Sequence, residues 1–201
     1  MGMRLTTSNL FQFFSTISPI LLGFFLLMIS LFNLNIKGLV YLGGILIGSF
    51  IWILLVNLIK NPAFENRHST CDLIDWPFNQ SAFNSPSYTS YFLAFTFIYL
   101  FLPMYYSKDI NYGVVIFILI LFFSDAITKI NKYCTPPSGP IIGGLLGLFL
   151  GFGWFSILHT AGHDDLLYFN EMNSNSVVCK RPKKQTFKCA VYKNGKVIQN
   201  L

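Results

Sequence analysis

Residues 38–59 read GLVYLGGILIGSFIWILLVNLI, a run without a charged residue that is closed by Lys37 at one end and Lys60 at the other. A helix needs about 20 apolar residues to cross a hydrocarbon layer about 30 Å thick, and its backbone must satisfy its own hydrogen bonds there. The run meets both conditions and predicts a membrane-spanning helix. Four further stretches of the same character surround it, at 9–33, 88–106, 111–128 and 140–159. The expected fold is therefore an all-α integral membrane protein, a bundle of five transmembrane helices. The first span is too long for a signal-peptide core, follows only Arg4 and lacks a small-residue cleavage site, so it is expected in the mature protein.

Composition agrees. The 201 residues are 53% hydrophobic and 11% charged, against about 25% charged in soluble domains. That excludes a soluble enzyme, a nucleic-acid-binding domain and a secreted disulfide scaffold for the chain as a whole, and no nucleic-acid partner is expected. The net charge of +6 belongs to the end of the chain, because seven of its basic residues lie from Lys180 to Lys196. Two units follow: a helical membrane domain over 1–162 and a basic extramembrane tail over 163–201. No internal repeat is evident.

Five spans put the two chain ends on opposite faces. One face receives Arg4, Lys60, Arg67, Lys129 and Lys132; the other receives Lys37, Lys108 and the basic residues of the tail. The positive-inside rule then assigns the tail to the cytoplasm and the long loops to the opposite face. Met1-Gly2 followed by Thr6 fits the loose N-myristoylation pattern, which points the other way. In the last span Gly143, Gly147 and Gly151 recur every four residues, so they share one helix face and predict close packing against a neighbouring backbone. No span has a charge at its centre, which argues against transport.

The cysteines divide by face, with Cys71 and Cys134 in the long loops and Cys179 and Cys189 in the tail. If the loops face an oxidising compartment, Cys71 and Cys134 can pair; free thiols throughout is the other reading. In the tail, alternating apolar residues flank Asn194-Gly195, the strongest short hairpin signal, and predict a small β-hairpin within 176–201. An isolated hairpin is marginal in water, so it is expected to dock on anionic lipid headgroups or on a protein partner.

Two loops carry the chemistry, and both lie on one face. The first holds Lys60, Arg67, His68, Cys71, Asp72 and Asp75 and ends in Asn84-Ser85-Pro86-Ser87-Tyr88-Thr89; the second runs from Thr128-Lys129 through Cys134-Thr135 to Gly139. Arginine forks onto phosphoryl oxygens, lysine adds a point charge, and a helix start offers free N–H groups. Lys60, Arg67, Ser87 and Lys129 are thus candidate phosphate-binding residues. Asp125, one turn before Lys129, is a competing partner for that cation. Arg67 has Glu65, Asp72 and Asp75 within the same loop.

On these residues the sequence resembles the type 2 phosphatidic acid phosphatases, membrane enzymes that remove phosphate from lipid phosphates. Their signatures are Lys-x6-Arg-Pro, Pro-Ser-Gly-His and Ser-Arg-x5-His-x3-Asp. Lys60 and Arg67 match the first, with His68 in place of proline. Pro86-Ser87 open the second, with Tyr88 and Thr89 in place of glycine and histidine. Thr128-Lys129 stand for Ser-Arg in the third, which puts Thr135 at the histidine and Gly139 at the aspartate. The resemblance covers about residues 38–155 and lacks one of the six spans usual in that family.

The resemblance implies that the nucleophile, its orienting carboxylate and the acid for the leaving group fall to Thr135, Gly139 and Thr89. None of these can do that work, since threonine is a poor nucleophile without an adjacent base and glycine has no carboxylate. Such losses typically cost about 10⁴–10⁶ in rate. No catalytic residue is therefore expected, with His68 the one substitute acid or base in the loop. His159, His163, Asp164 and Asp165 form a second cluster, read as an interfacial helix end, and no metal or other cofactor is expected. Three readings result: an inactive phosphatase-like membrane protein with a scaffold or lipid-phosphate-binding role; an active lipid phosphatase with rearranged residues; or a small component of a larger assembly, such as a virion membrane, that docks through its tail.

Overall fold

The computed structural model describes residues 7–62, 64–65, 71, 83–168, 190–193 and 196–200. Five helices run through it: α1 Thr7–Phe32, α2 Lys37–Ile59, α3 Tyr88–Ser107, α4 Tyr112–Asn131 and α5 Ser138–Thr160. Each is long and apolar enough to cross a membrane, as a multi-pass protein requires. Their outward faces carry exposed Phe24, Phe50, Leu58, Phe117 and Phe149, which suit contact with lipid rather than water. Four short strands complete the description: β1 Asn61–Pro62, β2 Phe83–Ser85, β3 Ala190–Lys193 and β4 Lys196–Asn200.

Local signals set the helix ends. Asn111 accepts the N–H groups of Gly113 and Val114 on its side-chain oxygen at 3.1 and 3.3 Å, which caps α4. Lys60 and Lys108 close α2 and α3 in the left-handed region, at φ 46° and 58°. The fourth span is expected to stop at Thr128, before Lys129, but α4 continues to Asn131. It continues because Asp125 pairs with Lys129 one turn on, so the ammonium does not have to leave the helix surface for water.

The third helix is the centre of the bundle. It buries 72% of its apolar window, against 17% for α4, so the other helices form its surroundings. Its closest neighbour is α5, and glycine makes that approach possible. A Cβ on Gly143 would collide with the Ser87 carbonyl, one on Gly147 would lie 2.8 Å from the Phe95 nitrogen, and one on Gly151 would lie 2.8 Å from the Phe95 carbonyl oxygen. Without a strong hydrophobic drive between helices in lipid, contact of this kind supplies the packing energy. The expected glycine face is thus the α3–α5 seam.

Around the seam α3 presents Tyr91, Phe95 and Tyr99 to Tyr41 of α2, all buried. The Tyr41 hydroxyl is satisfied by Thr96 at 2.6 Å and the Tyr91 hydroxyl by the Ile45 carbonyl at 3.0 Å, as a low-dielectric interior demands, while the Tyr99 hydroxyl is buried without a hydrogen-bond partner among the described residues. In α1, Pro19 has no N–H to give to the Ser15 carbonyl, and the Ser18 hydroxyl supplies the hydrogen bond instead, at 2.8 Å.

The chain does not leave the bundle at 162. After α5 a 3₁₀ turn, Asp164–Leu166, turns it back, and Leu167 and Tyr168 are both fully buried. The Tyr168 hydroxyl donates to the Leu26 carbonyl of α1 at 2.8 Å. Further on, β3 and β4 pair antiparallel, with Tyr192 opposite Val197 and Lys193 opposite Lys196. This is the expected hairpin; its turn residues Asn194 and Gly195, and the tail from 169 to 189 with Cys179 and Cys189, lie outside the described residues.

Candidate functional site

The α2–α3 loop and the α4–α5 loop meet at one end of the bundle. At that end β1 leaves α2 directly after Lys60 and pairs antiparallel with β2, Asn61 opposite Ser85, which brings Lys60 toward the start of α3. A disulfide between Cys71 and Cys134 then joins the α2–α3 loop to the α4–α5 loop. Closing a loop this long restricts the unfolded chain and typically contributes about 2–4 kcal/mol.

Asp125 lies at the centre of the site and is completely buried. Three helices serve its carboxylate. The Ser15 hydroxyl of α1 donates to Oδ1 at 2.7 Å, the Thr89 hydroxyl of α3 donates to Oδ2 at 2.6 Å, and the Lys129 ammonium of α4 stands 3.3 Å from Oδ2. Lys129 also donates to Thr89 Oγ1, and the Ser87 hydroxyl lies 3.2 Å from the same oxygen. Thr89 therefore uses its one proton and both lone pairs, a fully satisfied hub. A buried carboxylate in a membrane helix is costly unless it is paired in this way.

Beside this hub lies a second contact set. Thr135 Oγ1 donates to the Asn84 carbonyl, Asn84 Nδ2 donates to the Pro62 carbonyl at 3.1 Å, and the Ser87 N–H donates to the Gly139 carbonyl at 3.0 Å. Gly139 extends the glycine face of α5 by one turn. A side chain there would collide with the Thr135 hydroxyl and lie 3.1 Å from the Asn84 carbonyl oxygen. Close packing alone thus accounts for a glycine at this position, which has no room for a carboxylate.

The structure brings together Ser87, Thr89, Lys129, Thr135 and Gly139 among the residues singled out in the sequence. Lys60 stands at the edge of the same end, exposed to solvent. Arg67, His68, Asp72 and Asp75 lie outside the described residues. Lys129 is 17% exposed and already holds Asp125, so its charge is committed within the chain. Lys132, one turn on, has its ammonium drawn below the ordinary lysine value by desolvation.

Sequence reasoning missed Ser15 and Asn84. The signal for Ser15 was present as the hydroxyl run Ser15-Thr16-Ile17-Ser18 before Pro19, polar in an otherwise apolar span. Asn84 gave none, because the groups it meets, the Thr135 hydroxyl and the Pro62 carbonyl, are brought to it by the fold. At the opposite end of the bundle His159 Nδ1 bonds the Asp164 carboxylate at 2.7 Å and its ring stacks on Phe155. Among the described residues no cluster of His, Cys, Asp and Glu could hold a metal ion. No protein-family model, curated protein or solved structure matches the chain, so the site stands on its own geometry.

Proposed function

We propose that the chain is a catalytically inactive, phosphatase-like multi-pass membrane protein with a structural or scaffold role in its membrane. One observation carries this reading. The three positions at which the resemblance requires a nucleophile, its carboxylate and an acid hold Thr135, Gly139 and Thr89, and all three are closed into contacts within the chain. Thr135 donates to a backbone carbonyl, which cannot take its proton, and Thr89 is held between the Asp125 carboxylate, Lys129 and Ser87, so all of its hydrogen-bonding capacity is used inside the chain. The Cys71–Cys134 bridge suits an oxidising compartment, which supports a non-cytoplasmic signature face and a cytoplasmic basic tail. Exposed Lys60 favours a second reading, in which the same inactive fold holds a phosphorylated headgroup at its surface.

The test is phosphate release from a panel of lipid phosphates and pyrophosphates by the detergent-purified protein, run beside Arg67→Ala. The expected result is no release above the Arg67→Ala background. Release that vanishes in the mutant overturns the inactive reading and returns the protein to the enzymes.

A further inference from the structure

We propose that the polar hub is an anion site occupied by the chain itself, with the Asp125 carboxylate standing where a phosphoryl group would otherwise bind. The donor set is that of an anion site. Two hydroxyls and an ammonium, contributed by α1, α3 and α4, converge on one buried carboxylate at 2.7, 2.6 and 3.3 Å. Charge-assisted bonds of this kind are the strong ones, and they recognise the oxygens of any anion of suitable size. The site also lies at the end of the bundle where the disulfide joins the two loops, and Lys129 keeps 17% of its side chain exposed.

Tethering explains why the carboxylate prevails. Asp125 and Lys129 are one helical turn apart, so the carboxylate meets its cation without losing translational freedom, and a free anion has to compete against that advantage. With Asp125 in place the hub is neutral and saturated. Take its side chain away and the two hydroxyls and the ammonium remain around the space it leaves, with a cation that lacks its carboxylate in a low-dielectric setting. The choice of a phosphoryl group over another anion rests on the phosphatase-like reading above. The occupied state rests on the geometry alone.

The experiment compares the wild type, Asp125→Ala and Asp125→Ala/Lys129→Gln as purified full-length chains. Each is offered phosphatidylcholine vesicles with and without phosphatidic acid, and separately inorganic phosphate. Asp125→Ala should bind at least about tenfold more tightly than the wild type, a gain of about 1.4 kcal/mol, and the double variant should lose the gain. A gain confined to phosphatidic acid assigns the site to a lipid headgroup, and one shared with inorganic phosphate assigns it to the free anion. A folded Asp125→Ala without any gain overturns the proposal. If Asp125→Ala unfolds, its rescue by either anion supports the proposal and the lack of rescue overturns it, because a ligand that binds only the native state must stabilise it. Phosphate release by the wild type would sink the inactive reading and leave this binding result standing, so the two failures are distinguishable.

Discussion

The third helix has two sides that work by opposite means. Toward α5 it offers bare backbone, and Gly143, Gly147 and Gly151 meet it with nothing but their own backbone. Toward α1 and α4 it offers Thr89, which meets a buried ion pair. The first side depends on the absence of atoms and tolerates no addition. The second depends on a few particular atoms and tolerates no subtraction. The comparison teaches that one helix can be held in a membrane by two independent devices, shape on one face and charge on the other.

The seam should be the harder to violate. Gly147→Leu drives a branched side chain into the backbone of α3, where neither the Phe95 nitrogen at 2.8 Å nor the Ala94 methyl at 3.0 Å can give way. The expected cost exceeds about 4 kcal/mol, beyond the usual overpacking penalty of about 1–3 kcal/mol, because the obstruction is main chain. Gly153→Leu is the internal control, since a Cβ there meets nothing within 4 Å. Thermal unfolding in detergent should show loss of the folded bundle in the first variant and little change in the second. Equal effects would mean that the glycines serve something other than close approach.

The two sides also differ in how readable they were. Spacing alone exposes the seam, because residues four apart share a helix face whatever surrounds them. The same geometry gives the pairing of Asp125 with Lys129. Nothing in the sequence says that Ser15, more than a hundred residues earlier, donates to that aspartate, since helix order in a chain does not fix which helices touch. The five spans were legible to within a few residues at most ends, because the bilayer imposes a length on apolar runs. The β1–β2 ribbon was not, because two or three residues carry no periodicity. Gly139 shows the cost of reading by motif: its place in a signature suggests a lost carboxylate, while its place on α5 makes it one more turn of the glycine face.

On the polar side, Thr89→Val keeps the shape of the residue and deletes its hydroxyl. Asp125 Oδ2 then loses a donor, and Lys129 and Ser87 lose an acceptor. Bonds to charged groups contribute about 1.5–3 kcal/mol, so a destabilisation of about 2 kcal/mol is expected. The check is the shift in thermal unfolding, measured alone and in combination with Ser15→Ala. The two should be non-additive, because both donors serve one carboxylate. Additive effects would show that the hub is a set of separate bonds, and the contrast with the seam would lose its sharper half.

Tyr168→Phe sets the lower end of the scale. This hydroxyl is also buried and also ties α1 to the rest of the chain, through its bond to the neutral Leu26 carbonyl. The ring would stay where it is, edge-on to Tyr99 with centroids 6.4 Å apart, so the substitution removes the hydroxyl alone. Single interhelical hydrogen bonds in membranes average about 0.6 kcal/mol and reach about 1.7, because the separated helices find other partners. About 1 kcal/mol is therefore expected here, half the effect of Thr89→Val, with no coupling to Ser15→Ala at the far end of α1. If Tyr168→Phe instead costs as much as Thr89→Val, burial of any hydroxyl explains both, and the ion pair adds nothing to the hold on α3. If it costs less and stays uncoupled, the charge at Asp125 distinguishes a hub from a bond.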